Sequence, residues 1–298
     1  MKSSTFTLMC VHAHPDDESS KGAPTVAYYA AQDVNCVLVT ATGGEEGDIL
    51  NPAMDTPEVR ADLGSVRAQE LADATKIIGY RHVELLGYRD SGMPDSEANA
   101  SPEAFWNIPL KQSTDDLVRL VRKYRPDVLI TYPEDQSGYP HPDHLRVHDI
   151  SVAAFSLAAD PLYEPDLGDA HTTSKLYYST WSKKRMVAIF DRFLELGLEP
   201  PFPKERLDRE GQDDLVTTSI EVRDFLAVRR EALLAHRTQI DPNSPFWFAL
   251  SVEDEAAAYS TEDFCLAQVQ GIPYSIPEGT IERDLFAGIE GSDSLASA

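Results

Sequence analysis

The sequence predicts an α/β fold: a Rossmann-like, mostly parallel sheet with helices on both faces, followed by a smaller C-terminal α+β portion. In the first half of the chain, short β-branched runs alternate with longer helical patterns, as in consecutive βαβ units. A polar cluster follows each of the first four predicted strands, and open α/β sheets bind ligands at the carboxyl ends of their strands. Both observations favour a ligand site along one edge of the sheet.

The individual elements follow from the spacing of apolar residues. Continuous apolar or β-branched runs such as VNCVLVTAT predict strands at residues 5–11, 34–42, 82–88, 128–132, 175–181 and 215–222. Apolar residues on one helical face predict helices at residues 24–32, 57–78, 113–124, 144–158, 182–196 and 223–238. The second half is less regular, and residues 199–214, rich in proline and charge, predict a mobile excursion.

Composition excludes several classes of protein. The chain has 26 Lys and Arg against 50 Asp and Glu, and this net charge of −24 disfavours binding to nucleic acid. No apolar run approaches the length of a membrane span or of a secretory signal, so we expect no membrane association. Cys10, Cys36 and Cys265 show no CxxC spacing, which favours a reducing, cytoplasmic compartment, and the apolar runs around Cys10 and Cys36 predict that these two thiols are buried. The oligomeric state stays open.

Two motifs combine histidines with carboxylates. His14 and Asp17 are three residues apart after the first strand, and His141 and His144 repeat that spacing after the fourth. Two imidazoles and one carboxylate are the usual protein ligands of a catalytic zinc ion, and ferrous ion accepts the same set. A bound divalent ion lowers the pKa of water to about 7. We therefore predict one Zn²⁺ per chain, with Fe²⁺ possible, Asp16 as general base, and one histidine left to stabilise an oxyanion or protonate an amine.

Each motif alone also has an ordinary structural interpretation. Asp143 could cap the helix that begins at His144. His12 lies within the first strand, where packing or a hydrogen bond is expected rather than metal ligation. His148 is one turn beyond His144 and is expected on the helix surface or behind the site. A ferrous oxygenase and a non-catalytic sugar-binding protein remain alternatives of other classes.

With HAHPDDES and GYPHPDH both present, the chain resembles the LmbE-like (PIG-L) family of metal-dependent N-deacetylases. AHPDDE and HPDH match the two motifs of the family in the same order. The resemblance implies that His14, Asp17 and His144 are the zinc ligands. It also implies that Asp16 is the general base and that His141 acts as electrophile and acid.

Within this family, the chain is most similar to the enzymes of mycothiol metabolism. The segments GGEEGDIL, SVRAQE and RDSGMP resemble those that hold glucosamine-inositol, which implies sugar contacts at Asp48, Arg67 and Asp90, with Tyr139 beside the reacting centre. Ordinary roles are also open, since Arg67 could pair with Glu70 on its helix and Asp90 could start a turn.

The segment ESSKGA, with Lys21, resembles the branch of the family that cleaves the cysteinyl–glucosamine amide of mycothiol S-conjugates. This resemblance implies a detoxifying amidase for a small thiol-sugar conjugate, with a mercapturic acid and glucosaminyl-inositol as products. Lys21 would contact the thiol arm, although a solvated lysine is equally consistent. The alternative is the deacetylase that acts on N-acetylglucosaminyl-inositol.

These expectations divide the chain into three parts. Residues 1–170 are expected to form the Rossmann-like, metal-binding catalytic domain. Residues 171–291 are expected to be a smaller portion that completes the substrate cleft. The small polar residues 292–298 predict a disordered tail.

Overall fold

One seven-stranded sheet runs through the molecule. The computed structural model describes residues 6–136, 138–208, 211–292 and 295. The strands are β1 (Thr7–His12), β2 (Asn35–Thr42), β3 (His82–Tyr88), β4 (Val128–Thr131), β5 (Lys175–Thr180), β6 (Thr218–Glu221) and β7 (Thr261–Val269). They are arranged in the order β3-β2-β1-β4-β5-β7-β6, with β7 antiparallel to both of its neighbours.

Helices connect these strands. They are α1 (Asp17–Ser20), α2 (Ala23–Ala30), α3 (Pro57–Ala61), α4 (Leu63–Ile78), α5 (Leu110–Tyr124), α6 (Pro142–Leu157), α7 (Lys183–Glu195), α8 (Leu226–Ala235), α9 (Pro245–Phe248) and α10 (Val252–Ala258). Among the described residues, none of these helices has the length and apolar composition needed to cross a bilayer.

Both faces of the sheet are covered, as the sequence predicts. Side chains alternate along a strand, so Leu8 and Cys10 of β1 join a buried cluster with apolar residues of α2, α4 and α8. Met9 and Val11 point to the other face and join a second cluster with residues of α5 and α6. The fold is therefore the expected Rossmann-like α/β sandwich.

The position of β1 determines where the polar loops meet. β1 pairs in parallel with β2 on one side and with β4 on the other, with Leu8 opposite Val128 and Cys10 opposite Ile130. The chain leaves β1 towards β2 and reaches β4 only after β3, so the strand order reverses between β1 and β4. Such a switch point opens a crevice at the carboxyl ends of the two strands.

The second half of the chain extends the same sheet. β5 continues the parallel pairing from β4, and β7 and β6 complete the edge in antiparallel orientation. Tyr177, Ile220 and Phe264 from these strands belong to the same buried cluster as Leu8. Residues 1–170 and 171–291 therefore share one core. β7 was not predicted from the sequence.

Several predicted elements differ from the structure. The helix expected at 57–78 is broken at Asp62, whose φ of −143° leaves the helical region, so α3 and α4 are separate. The helix expected at 223–238 begins with a 3₁₀ turn at Arg223–Phe225 and ends at Ala235. The strand expected at 215–222 is reduced to β6, and a 3₁₀ turn at Asp213–Leu215 precedes it.

The predicted excursion and tail are partly packed. Phe202 is buried, with its ring centroid 5.7 Å from Phe190 and 6.5 Å from Phe246, so the predicted excursion is anchored to the body of the protein at this residue. Ser292 and Leu295 are also buried, which corrects the expectation of a disordered tail at these two positions. Residues 293, 294 and 296–298 lie outside the described residues.

We predict that Leu129→Ala lowers the free energy of unfolding by about 2–5 kcal/mol, because Leu129 is fully buried in β4 at the centre of the sheet. Urea denaturation measures the change. Leu162→Ala is the matched control, since Leu162 is 86% exposed and its truncation is expected to leave stability unchanged. Equal losses in the two variants would contradict this placement of the core.

Candidate metal centre and active site

A cavity of about 460 Å³ lies where the loops after β1, β2, β3 and β4 meet residues of the second half of the chain. It is lined by every site residue that the sequence predicts, namely His14, Asp16, Asp17, Lys21, Asp48, Arg67, Asp90, Tyr139, His141 and His144. The second half contributes Leu233, Gln239, Ile240 and Trp247. This volume suits a small organic ligand.

Three buried side chains form a group that could hold a metal ion: His14, Asp17 and His144. His14 Nδ1 lies 3.4 Å and His144 Nε2 lies 3.3 Å from Asp17 Oδ2. Ligands placed tetrahedrally at the Zn–N and Zn–O bond lengths of about 2.0–2.1 Å are about 3.3 Å apart. The donor set and its spacing therefore fit a zinc ion.

The turn after β1 closes on itself. The strand ends at His12, and in the turn that follows the backbone N–H of His14 donates to Asp17 Oδ2 at 2.9 Å while Asp17 N–H donates to His14 O at 3.3 Å. These bonds hold the His14 and Asp17 side chains on one side of the turn. The i, i+3 spacing seen in the sequence therefore corresponds to one turn, which brings the two side chains together.

His144 is delivered by the first turn of α6. Pro142 is its first helical residue, and the N-cap is His141, whose Nδ1 accepts the Asp143 N–H at 3.2 Å. The alternative of Asp143 as the cap is therefore wrong. Burial lowers the pKa of His144 to about 4, so its imidazole is neutral and free to donate a lone pair to a metal.

Asp143 instead supports His14. Its Oδ2 lies 3.2 Å from His14 Nε2 and accepts the Ser91 N–H at 3.0 Å. Asp90 Oδ1 lies 3.6 Å from the same nitrogen. Burial disfavours the imidazolium, but hydrogen bonds to Asp143, Asp17 and Asp90 outweigh it and raise the pKa of His14.

Carboxylates on one ring nitrogen commonly orient a histidine that binds metal through the other. His14, Asp90 and His141 form a second group with metal-binding potential, but this group uses the Nε2 side of His14. The carboxylates there are better explained as supports for ligation by Nδ1.

Asp17 has further partners that fix its carboxylate. Tyr132 Oη donates to Asp17 Oδ2 at 2.8 Å, and Lys21 Nζ lies 2.5 Å from Asp17 Oδ1. Burial alone would raise the pKa of Asp17, but Lys21 and His144 outweigh it and lower the pKa well below its usual value. Lys21 lines the cavity, and its ion-pair partner is this predicted metal ligand.

The buried Arg67 and the partly buried Asp16 form a pair beside this group. Arg67 Nη2 lies 3.3 Å from Asp16 Oδ2, and the same guanidinium donates to the carbonyls of Gly44 and Pro15. The expected alternative partner of Arg67, Glu70, instead accepts two hydrogen bonds from Thr238. Burial raises the pKa of Asp16 more than Arg67 lowers it. Asp16 is therefore a more basic carboxylate than a free one.

The remaining predicted contacts lie around the rim and floor of the cavity. Asp90 accepts the Gly92 N–H at 2.8 Å and the Glu46 N–H at 3.3 Å, so it does shape a turn while facing the cavity. Asp48 is exposed at the rim. Tyr139 is 55% exposed, and its ring stacks on His141 at a centroid distance of 5.9 Å.

Sequence reasoning missed Tyr132, which was counted as the end of a strand. Its hydroxyl accepts the Ala13 N–H at 2.9 Å, and its ring stacks on His144 at 4.5 Å. Tyr132 also contacts His12 and His148, the two histidines that the sequence analysis placed outside the ligand set. His12 Nδ1 lies 3.3 Å from the Tyr132 hydroxyl, and His148 Nδ1 lies 3.0 Å from the Tyr132 carbonyl, both behind the cavity lining.

Comparison with known proteins places this site in a family. The model described as "PIG-L: GlcNAc-PI de-N-acetylase" matches residues 9–155. A mycothiol S-conjugate amidase from Streptomyces coelicolor is 39% identical over 291 residues, covering 95% of this chain and 97% of that protein. The chain belongs to the PIG-L family. A 1D-myo-inositol 2-acetamido-2-deoxy-alpha-D-glucopyranoside deacetylase from Frankia alni is 41% identical over 294 residues, covering 94% of this PIG-L chain and 99% of that one. This PIG-L protein is therefore a hydrolase of amide bonds.

Solved structures agree on the PIG-L fold. The N,N'-diacetylchitobiose deacetylase from Pyrococcus horikoshii superposes with a TM-score of 0.62 at 15% identity, covering 89% of this chain and 84% of that one. GalB, a 4-carboxy-2-hydroxymuconate hydratase from Pseudomonas putida, gives 0.59 at 14% identity, covering 91% and 100%. Because a hydratase shares the scaffold, the fold alone does not define the reaction.

We predict that His144→Ala abolishes stoichiometric zinc binding by this PIG-L protein, because it removes one of the three donors, the nitrogen that lies 3.3 Å from Asp17 Oδ2. Isothermal titration of the apoprotein measures the affinity. His148→Ala is the matched control, because His148 lies one turn further along α6 and does not line the cavity. Unchanged affinity in His144→Ala would contradict the ligand set.

Proposed function

We propose that this PIG-L protein is a zinc-dependent amidase that hydrolyses the cysteinyl–glucosamine amide of mycothiol S-conjugates, releasing a mercapturic acid and glucosaminyl-inositol. The observation that supports it most is the His14–Asp17–His144 group with Asp16 beside it in a single cavity. The likeness to the Streptomyces coelicolor amidase extends over 95% of the chain, including the second half that lines the cavity.

His14, Asp17 and His144 would hold the ion. A bound divalent cation supplies Lewis acidity, which lowers the pKa of water and polarises a carbonyl. Asp16 is the group placed to accept the proton of the attacking water, since its pKa is raised by burial and Arg67 keeps its carboxylate in place. An acceptor of this kind also returns the proton to the departing amine.

His141 is suited to stabilise the oxyanion of the tetrahedral intermediate. Its Nδ1 accepts the Asp143 N–H, so the proton of the neutral ring is on Nε2. Burial and the neighbouring His14 lower the pKa of His141, which favours this neutral form. The Nε2–H group is then a hydrogen-bond donor facing the cavity at neutral pH.

The substrate contacts divide by chemistry. Asp48 and Asp90 offer carboxylate acceptors for the hydroxyls of the glucosaminyl-inositol half. Arg67 contributes by holding the loops after β1 and β2 together, as its bonds to Pro15 and Gly44 indicate. Tyr139, exposed at the mouth and stacked on His141, borders the reacting amide.

The acyl side of the amide would face a part of the cavity lining that combines one positive charge with apolar side chains. Lys21 lies next to Asp17 and can offer its ammonium group to the cysteinyl arm. Leu50, Met93, Leu233, Ile240 and Trp247 add apolar surface to the same cavity. An acetyl group needs little of this surface, whereas a cysteine that carries a bulky thiol adduct can use it, and this favours the amidase over the deacetylase.

Deacetylation of N-acetylglucosaminyl-inositol is the second candidate. Relatives named for deacetylation of an inositol acetamido-glucoside are 40% and 41% identical to this chain, which is as similar as the amidase. Both substrates would share the contacts of the sugar half. Side activity on the second substrate is therefore expected.

We predict a higher kcat/KM for a mycothiol S-conjugate than for N-acetylglucosaminyl-inositol, because only the conjugate uses Lys21 and the apolar wall. Both substrates are incubated with one zinc-loaded preparation, and the products are identified by mass spectrometry. Release of acetate with no cleavage of the conjugate would favour the deacetylase instead.

We predict that Asp16→Asn retains zinc but lowers kcat by about 10²–10⁴-fold, because the amide cannot accept the proton from water. Asparagine also tolerates the positive φ of 117° at this position. Steady-state kinetics with metal analysis provides the measurement, and Asp149→Asn on the exposed side of α6 is the control. Normal turnover by Asp16→Asn would remove Asp16 from the mechanism.

A further inference from the structure

Asp16 has an unusual backbone conformation. Its φ of 117° lies in the region that L residues rarely adopt, and it stands between Pro15 and the first helical residue of α1. Such a conformation is unfavourable and persists only when surrounding contacts enforce it. The direction of the Asp16 carboxylate depends on whatever enforces it.

Glu18 provides the contact. Its Oε2 accepts the backbone N–H of Asp16 at 2.9 Å, and its Oε1 accepts from Ser19 Oγ at 2.5 Å. The N-cap position of α1 has no side-chain hydrogen bond of its own, so the Glu18 carboxylate is what satisfies this N–H. Glu18 is fully buried, and it needs a positive partner at that depth.

That partner comes from the other end of the chain. His236 Nε2 lies 2.6 Å from Glu18 Oε1, 218 positions apart in the sequence, and both residues are fully buried. His236 is the C-cap of α8, where the helix dipole also favours a cation. Burial opposes the charge on each group, but their mutual attraction prevails: it raises the pKa of His236 and lowers that of Glu18.

We propose that His236 is a positioning residue for the reaction: it holds Glu18, and Glu18 fixes the backbone of Asp16 so that the Asp16 carboxylate faces the attacking water. The role rests on the proposed function, in which Asp16 is the base. His236 itself touches neither the metal group nor the cavity surface. The hydrogen bonds that connect it to Asp16 pass through Glu18.

The contacts from His236 through Glu18 to Asp16 indicate how the second half of the polypeptide contributes to catalysis. The backbone carbonyl of His236 accepts the N–H groups of Gln239 and Ile240, which line the cavity. The turn that begins at His236 therefore positions Gln239 and Ile240 in the cavity lining, and through Glu18 it also positions Asp16. A misplacement of a catalytic group by about 1 Å can cost about 10²-fold in rate.

The test compares His236→Gln with His236→Leu. Glutamine keeps one N–H donor for Glu18 and leucine keeps none, so kcat is expected to fall about 10-fold in the first and about 10²-fold in the second. KM and the zinc affinity of the apoprotein, from isothermal titration, are expected to stay within twofold. Glu18→Gln provides a further variant should His236→Leu not fold.

A double-variant cycle separates positioning from general damage. In the Asp16→Asn background, His236→Leu should cause no further loss of kcat, because its effect passes through the Asp16 carboxylate. Lys175→Met is the matched control, since Lys175 is also fully buried in an ion pair, with Glu282 at 3.5 Å, but lies away from the cavity. It should lower the melting temperature and leave kcat unchanged.

Three results would overturn the proposal: multiplicative losses in the double variant, a fall in zinc affinity that parallels kcat, or a loss of kcat in Lys175→Met equal to that in His236→Leu. Wild-type protein that hydrolyses neither amide substrate would overturn the proposed function together with this role. Turnover by the wild type, with multiplicative losses of kcat in the double variant, would overturn the role of His236 alone.

Discussion

The parallel pairing of β1 with β4 is the constraint on which the site depends. Three register pairs, Leu8–Val128, Met9–Leu129 and Cys10–Ile130, set the two strands side by side with their carboxyl ends at one edge. The turn after β1 and the first turn of α6 then meet, and His144 comes within 3.3 Å of Asp17. A shift of this register would separate the donors, because each half of the group belongs to a different strand end.

The chemistry of the site follows from the charges that this pairing crowds together. His14 is flanked by Asp17 on one ring nitrogen and by Asp90 and Asp143 on the other. Buried carboxylates are costly unless cations compensate them, and Lys21 and Arg67 supply only part of that charge. A divalent ion among His14, Asp17 and His144 would supply the missing positive charge. The same ion position therefore suits both the electrostatics of the buried carboxylates and the catalytic chemistry.

Local patterns made the main features predictable. The strand–helix alternation, the His14–Asp17 turn and the His141–His144 spacing all depend on residues close in sequence, and every predicted site residue lines the cavity. The contacts that sequence reasoning missed join distant segments. Tyr132 was predicted only as the end of a strand. β7 was not predicted because Glu262 and Asp263, which are buried in the structure, make its sequence look polar. His236 and Glu18 are 218 positions apart, and no periodicity links them.

In the proposed site, one divalent ion joins the beginning and the middle of this chain. Anomalous diffraction from crystals of the zinc-loaded protein, recorded on both sides of the zinc absorption edge, tests it directly. A single strong peak within about 2.0–2.2 Å of His14 Nδ1, Asp17 Oδ2 and His144 Nε2 is the expected result. An anomalous peak at another place in the protein, or one too far from His144 Nε2 for a metal–ligand bond, would contradict this ligand set.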